Sequence, residues 1–123
     1  MERTFFGLGA VFALLGVALG AFGAHALRAT LSPGDLATFE TGVRYQVYHA
    51  FGLVVVAWAT TRWAGAPVHV AGWFFVVGIL IFSGSLYTLV LTGQRWMGAV
   101  TPLGGLCFLV GWALLAWSAF RTG

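Results

Sequence analysis

Charge is what this sequence has least of. Only 7% of its 123 residues are charged and 60% are hydrophobic, against about 25% and about 45 to 50% in an ordinary soluble domain. That deficit excludes a water-soluble fold. Cysteine is scarcer still: Cys107 stands alone, so no intramolecular disulfide can form. The net charge of +3 and pI near 9.8 would suit nucleic acid. The six arginines, however, are scattered at the ends of apolar runs and make no basic stripe, so no nucleic-acid partner is expected.

What is present is a set of long intervals between charges. The charged side chains are Glu2, Arg3, Arg28, Asp35, Glu40, Arg44, Arg62, Arg95 and Arg121, leaving charge-free stretches over 4–27, 45–61, 63–94 and 96–120. A hydrocarbon core of about 30 Å needs about 20 helical residues at about 1.5 Å each. The pattern predicts an all-α fold, a four-transmembrane-helix bundle with spans at about 4–27, 45–63, 68–92 and 102–120. Residues 1–123 then form a single integral membrane domain, with no room for a soluble one. Ala24-His25-Ala26 resembles a signal-peptidase site, but the apolar run before it exceeds the about 7 to 15 residues of a signal peptide. The first span is therefore expected to be retained.

Local signals refine the spans. Ser32-Pro33-Gly34-Asp35 reads as a helix start, with a hydroxyl cap, a first-turn proline and an acid. No stop follows before Arg62, and a helix over 33–63 would be about 46 Å long. Residues 33–44 are thus expected to form an amphipathic interfacial lead-in to the second span, with Leu36, Phe39, Val43 and Val47 as its apolar stripe. Gly93 is placed to end the third span, and Thr101-Pro102 reads as a cap and first-turn proline for the fourth. Residues 94–100 make a connection that is apolar for water, which points either to a segment dipping back into the protein or to a longer helix kinked at Pro102. Gly16, Gly20 and Ala24, at four-residue spacing, offer a small-residue seam for close helix approach.

Alternating threading puts the termini and the 64–67 connection at one membrane face, A, and the 28–44 and 93–101 connections at the other, B. Arg3, Arg62 and Arg121 fall at A, and Arg28, Arg44 and Arg95 at B, so the positive-inside rule returns a tie. The polar side chains are not tied. His25, Glu40, Arg44, Tyr45, Gln46, His49, Ser83, Ser85, Tyr87 and Thr101 all fall towards face B. They form the candidate site, for helix association and for lipid or partner binding. Glu40 and Arg44 stand at i and i+4, where an ion pair is geometrically easy. His25, His49 and Glu40 lack any metal-ligand spacing, so no metal and no cofactor is expected. Ser83 and Ser85 make no nucleophile elbow, and no catalytic residue can be named. A non-enzymatic membrane component that self-associates as a homo-oligomer, and contacts lipid or a membrane-protein partner, is the expectation. A small channel or transporter for protons or small solutes is the alternative.

GAFGAHAL at 20–27, FETGVRYQVYHA at 39–50, FSGSLYTLVLTG at 82–93 and TPLGG at 101–105 resemble the YgdD-like family of small multi-pass membrane proteins, a domain of unknown function with an animal transmembrane branch. The likeness runs from about Gly7 to Trp112 and rests on Gly23, His25, Glu40, Arg44, Tyr45, Gln46, His49, Ser83, Gly84, Ser85, Tyr87, Thr101 and Pro102. It implies a multi-pass protein of the bacterial inner (plasma) membrane and supplies no activity.

Overall fold

The computed structural model describes residues 1–121 and contains four long helices: α1 (Glu2–His25), α2 (Pro33–Arg62), α3 (Ala66–Thr92) and α4 (Thr101–Phe120). Two short 3-10 turns, Leu27–Ala29 and Arg95–Ala99, sit in the connections, and no strand occurs among the described residues. The start of α2 follows its sequence signal: Ser32 Oγ accepts the Asp35 backbone N–H at 3.1 Å, with Pro33 in the first turn. Residues 33–44 are continuous with the rest of α2 rather than a separate surface helix, and Phe39 is buried among them. Gly93 ends α3 in the left-handed region, φ 75°, a conformation that costs a residue with a Cβ more than it costs glycine.

The helices pack in chain order, each antiparallel to the last. Along the α1–α2 seam Gly9 lies beside Ala50, Gly16 beside Val47, Gly20 beside Val43 and Gly23 beside Phe39. The central pair, α2 and α3, carries α1 on one side and α4 on the other. Buried positions alternate at three- and four-residue steps: Phe39, Gly42, Gln46, His49, Leu53 and Val56 on α2, and Gly104, Phe108, Gly111, Leu115 and Ser118 on α4. This is the period at which ridges of one helix enter grooves of the next at a shallow crossing angle. Of the expected α1 seam, Gly16 and Gly20 face α2 and Ala24 does not. Ala24 is exposed, and the buried glycines are Gly9, Gly16 and Gly23, seven residues apart.

Outside this seam the molecule is apolar. Leu14, Val17, Leu80, Leu103 and Leu109 are all more than half exposed, a surface that water would not tolerate as a continuous patch. Three helical stretches, Glu2–Ala29, Ala66–Thr92 and Arg95–Phe120, are long and apolar enough to cross a membrane. The four-span expectation is met directly for these three. The 30-residue α2 has the length, but Arg44, Gln46 and His49 interrupt its apolar run.

Thr101 departs from expectation. It is the first residue of α4 and caps nothing; its hydroxyl turns to α3 instead. No residue of the Arg95–Ala99 turn is buried, although Met97 rests against the cluster of Leu27, Phe39, Leu89 and Val90. The connection is pinned by a contact that the sequence did not announce. Arg95 donates from both guanidinium nitrogens to the Asp35 carboxylate, at 2.9 and 3.2 Å, tying the first turn of α2 to the α3–α4 link.

The Arg95 hydrogen bonds hold the Asp35 carboxyl below its usual range; loss of hydration opposes them, and charge attraction to Arg95 adds a smaller lowering. A carboxylate depressed in this way contributes to the folded connection above the ordinary value of about 3.9, and the contribution fades as pH falls through the lowered value. A spin label at residue 98 is expected to gain mobility on strong acidification of the native protein. In Asp35→Asn it should be mobile at neutral pH already, with little further change in acid; equal mobility of the two proteins at pH 7 would refute the tether.

Candidate functional site

The buried polar side chains at the middle of the central helices make bonds between helices. Gln46, only 3% exposed, donates from Nε2 to the Phe12 carbonyl of α1 at 2.9 Å and accepts at Oε1 from the Tyr87 hydroxyl of α3 at 2.6 Å. The reach to Phe12 depends on Gly16. A side chain four residues on leans over a helical carbonyl, and at Gly16 there is none, so a second lone pair stays open to Gln46. Beside this bridge, the buried Ser83 hydroxyl donates to the Gly42 carbonyl at 2.6 Å, joining α3 to α2 again.

His49 makes the corresponding link to α4. Trp112 Nε1–H donates to His49 Nε2 at 3.0 Å, and indole nitrogen is a donor only. Nε2 is therefore the acceptor, and Nδ1–H donates to the Tyr45 carbonyl at 2.8 Å. Both ring nitrogens are spent, and the imidazole stacks on Phe108 with centroids 3.5 Å apart and planes 6° from parallel. Closer to the Asp35–Arg95 end, the Ser85 and Thr101 hydroxyls share a hydrogen bond at 2.5 Å, with the Phe82 carbonyl 2.9 Å from Ser85 and the Met97 carbonyl 3.4 Å from Thr101 as acceptors for the other proton. Among the described residues every buried side-chain nitrogen and oxygen has a partner.

The expected site is only partly one place. Gln46, His49, Ser83, Ser85, Tyr87 and Thr101 are drawn inward, whereas His25, Glu40 and Arg44 are exposed. Glu40 and Arg44 make no ion pair, and the sole salt bridge among the described residues is Asp35–Arg95. Tyr45 lies at the surface between Tyr48 and Phe82, with ring centroids 5.6 and 4.8 Å away. His25 and His49 do not converge, and no group of three metal-ligating side chains occurs among the described residues. Gln46 and His49 are placed by the sequence at the entrance of a span beginning near residue 45. In the structure they sit at the middle of α2, opposite Phe12 midway along α1 and Phe108 and Trp112 midway along α4.

Between α2 and α4 a groove of about 550 Å³ opens to the outside, walled by Tyr45, Tyr48, Phe82, Phe108 and Trp112 with His49 at its base. Phe108 and Trp112 are the participants that sequence reasoning missed. Their only signal is an aromatic pair at i and i+4 on one helix face.

An all-helical fold with an apolar exterior, small-residue seams and internally paired polar groups defines an integral membrane protein. The chain belongs to the family described as "Protein of unknown function (DUF423)", which matches residues 19–105. It is 48% identical over 91 residues to the UPF0382 membrane protein YwdK of Bacillus subtilis, covering 73% of this chain and 74% of that protein. A UPF0382 membrane protein of Staphylococcus haemolyticus is 42% identical over 97% of both chains. The UPF0382 inner membrane protein YgdD of Escherichia coli is 39% identical, over 91% of this chain and 86% of its own. No solved structure matches.

Proposed function

We propose that this chain is a non-enzymatic component of the bacterial inner membrane, crossing it four times, with its polar residues divided between two tasks. Those at mid-bundle lock the helices together; Glu40 and Arg44 present a charged step on an otherwise apolar face to lipid or to another protein. The inner membrane is the location printed in the name of the E. coli relative. Packing supports the fourth crossing. α2 lies antiparallel between α1 and α3 along their length, so it occupies the depth they occupy. Its polar interruptions face inward as Gln46 and His49, where they are bonded.

The observation that carries the division is that the buried polar atoms are all engaged within the chain while Glu40 and Arg44 are exposed and unpaired among the described residues. A charge in the hydrocarbon costs about 2.5 to 3.5 kcal/mol on the insertion scale, so this pair favours headgroups or the opposite charges of a neighbour. A second copy supplies both signs at matching depth, which supports a homo-oligomer. Against the channel alternative stands the core towards face A, where Phe5, Leu53, Val56, Val68 and Phe75 pack without a polar lining.

Cross-linking in vesicles tests the proposal. Glu40→Gln/Arg44→Gln is expected to lower the cross-linked oligomer several-fold while leaving the melting temperature of the monomer in detergent unchanged, because neither side chain holds the bundle together. An oligomer distribution identical to that of the native chain would refute the charged step as an association surface.

A further inference from the structure

We propose that the groove between the first turns of α1 and the last turns of α2, at face A, binds one anionic glycerophospholipid, its phosphate at Arg3 and an acyl chain lying over Gly7. The site is at the end of the bundle remote from Asp35 and Arg95 and does not depend on the role given to Glu40 and Arg44. Its volume is about 560 Å³, within the about 300 to 1,000 Å³ usual for ligand sites.

The groove is graded in the way a lipid is. Glu2, Arg3 and Thr61 stand at its mouth, and Phe6, Gly7, Val54 and Trp58 line the part below. Arg3 is exposed, and no carboxylate pairs with it among the described residues. Arg62 lies over the Trp58 ring, 5.9 Å from its centroid, and brings a second positive charge to the same rim. Two guanidinium groups against the single carboxylate of Glu2 leave the mouth net positive, which complements a phosphodiester headgroup of net negative charge. Trp58 is the amphipathic ring expected at headgroup depth. Below it, Gly7 keeps the channel open: a Cβ there would meet nothing within 4 Å, so the space beside it belongs to no side chain of this protein.

Native mass spectrometry of the full chain, released from detergent with equimolar phosphatidylglycerol and phosphatidylcholine, tests the site. The native protein is expected to retain one phosphatidylglycerol at least five-fold more than phosphatidylcholine. Gly7→Leu, which fills the groove without meeting neighbouring atoms at its Cβ, should lower that retention at least five-fold with no loss of thermal stability, and Arg3→Gln should lower it independently. Equal retention of the two lipids, or undiminished phosphatidylglycerol in both variants, would overturn the proposal. So would complete displacement of the lipid by millimolar glycerol 3-phosphate, which would mark a phosphate site without an acyl groove.

Discussion

Gly104→Ala is expected to push α4 off α3 and to destabilise the bundle more than any other single methyl added to a helix. The added Cβ would run into the backbone of Phe82, at its N and Cα. Gly9 comes nearest, its Cβ meeting the Ala50 carbonyl oxygen alone of the facing backbone, at 2.7 Å, and most other tight glycines have softer neighbours. At Gly23 the new atom would meet the edge of the Phe39 ring at 2.8 Å, and at Gly72 the edge of Phe5 at 2.5 Å, where a ring can tilt. A main chain in the middle of a helix has no such freedom, so the helices themselves must separate. Overpacking of this kind costs about 1 to 3 kcal/mol, and the backbone clash places Gly104 towards the upper figure. Gly84→Ala is the matched control. It lies on α3 two residues from Phe82, and its Cβ would meet nothing within 4 Å, so it should be neutral or gain up to about 0.5 to 1 kcal/mol from helix propensity. Denaturant unfolding in mild detergent, followed by tryptophan fluorescence, compares the two. A Gly104→Ala protein as stable as Gly84→Ala would mean that α3 and α4 are further apart than described.

The same glycines explain how much of the fold was legible beforehand. Intervals between charges located four long helices, and Ser32-Pro33 and Gly93 marked ends of α2 and α3, because caps and left-handed residues are local chemistry. The packing face was harder to find. In water it would appear as an apolar stripe, but here the outside is apolar as well, so Leu14 and Leu109, facing outward, are indistinguishable from Leu53, which is buried. On α1 the face is written in glycine at seven-residue spacing, and a four-residue spacing nearby was the easier pattern to see.

The place of the polar groups along the bundle is hard to read from sequence for a related reason. Reading Arg44 as the membrane edge of α2 puts Gln46 and His49 at a rim, whereas they sit at the middle of that helix. An exposed arginine on a long stem can reach towards headgroups from several residues inside, so a charge marks the edge only loosely. The partners of these residues were hidden as well. Gln46 bonds to a backbone carbonyl at Phe12, and any residue has a carbonyl. Trp112 falls mid-span and names no partner until α4 is docked. Alternating threading puts Asp35 and Arg95 at one end of the bundle, but only the docked helices bring them within bonding distance.

Gln46→Leu is the other substitution expected to act strongly, through a lost bond rather than a clash. Leucine is close in size and suits a membrane helix, yet it removes the acceptor for the Tyr87 hydroxyl and the donor to Phe12. Leaving a buried donor without a partner costs about 1 to 3 kcal/mol. The Phe12 carbonyl loses less, because its helical bond remains. Tyr87→Phe alone should cost less than Gln46→Leu, since the amide then keeps its bond to α1. The double variant Gln46→Leu/Tyr87→Phe should be less destabilised than the two singles added together, because the second change removes the donor that the first orphaned. Hydrogen bonds between membrane helices show coupling of about 0.6 kcal/mol on average and about 1.7 at most, so the deficit should fall in that range and below the cost expected at Gly104. Strict additivity would mean that Tyr87 and Gln46 are not bonded. Glutamine suits this position because its amide donates to α1 and accepts from α3 without carrying charge; glutamate would turn a carboxylate towards the Phe12 carbonyl, and so Gln46→Glu should destabilise at neutral pH and recover in acid, when a protonated carboxyl can donate in its place.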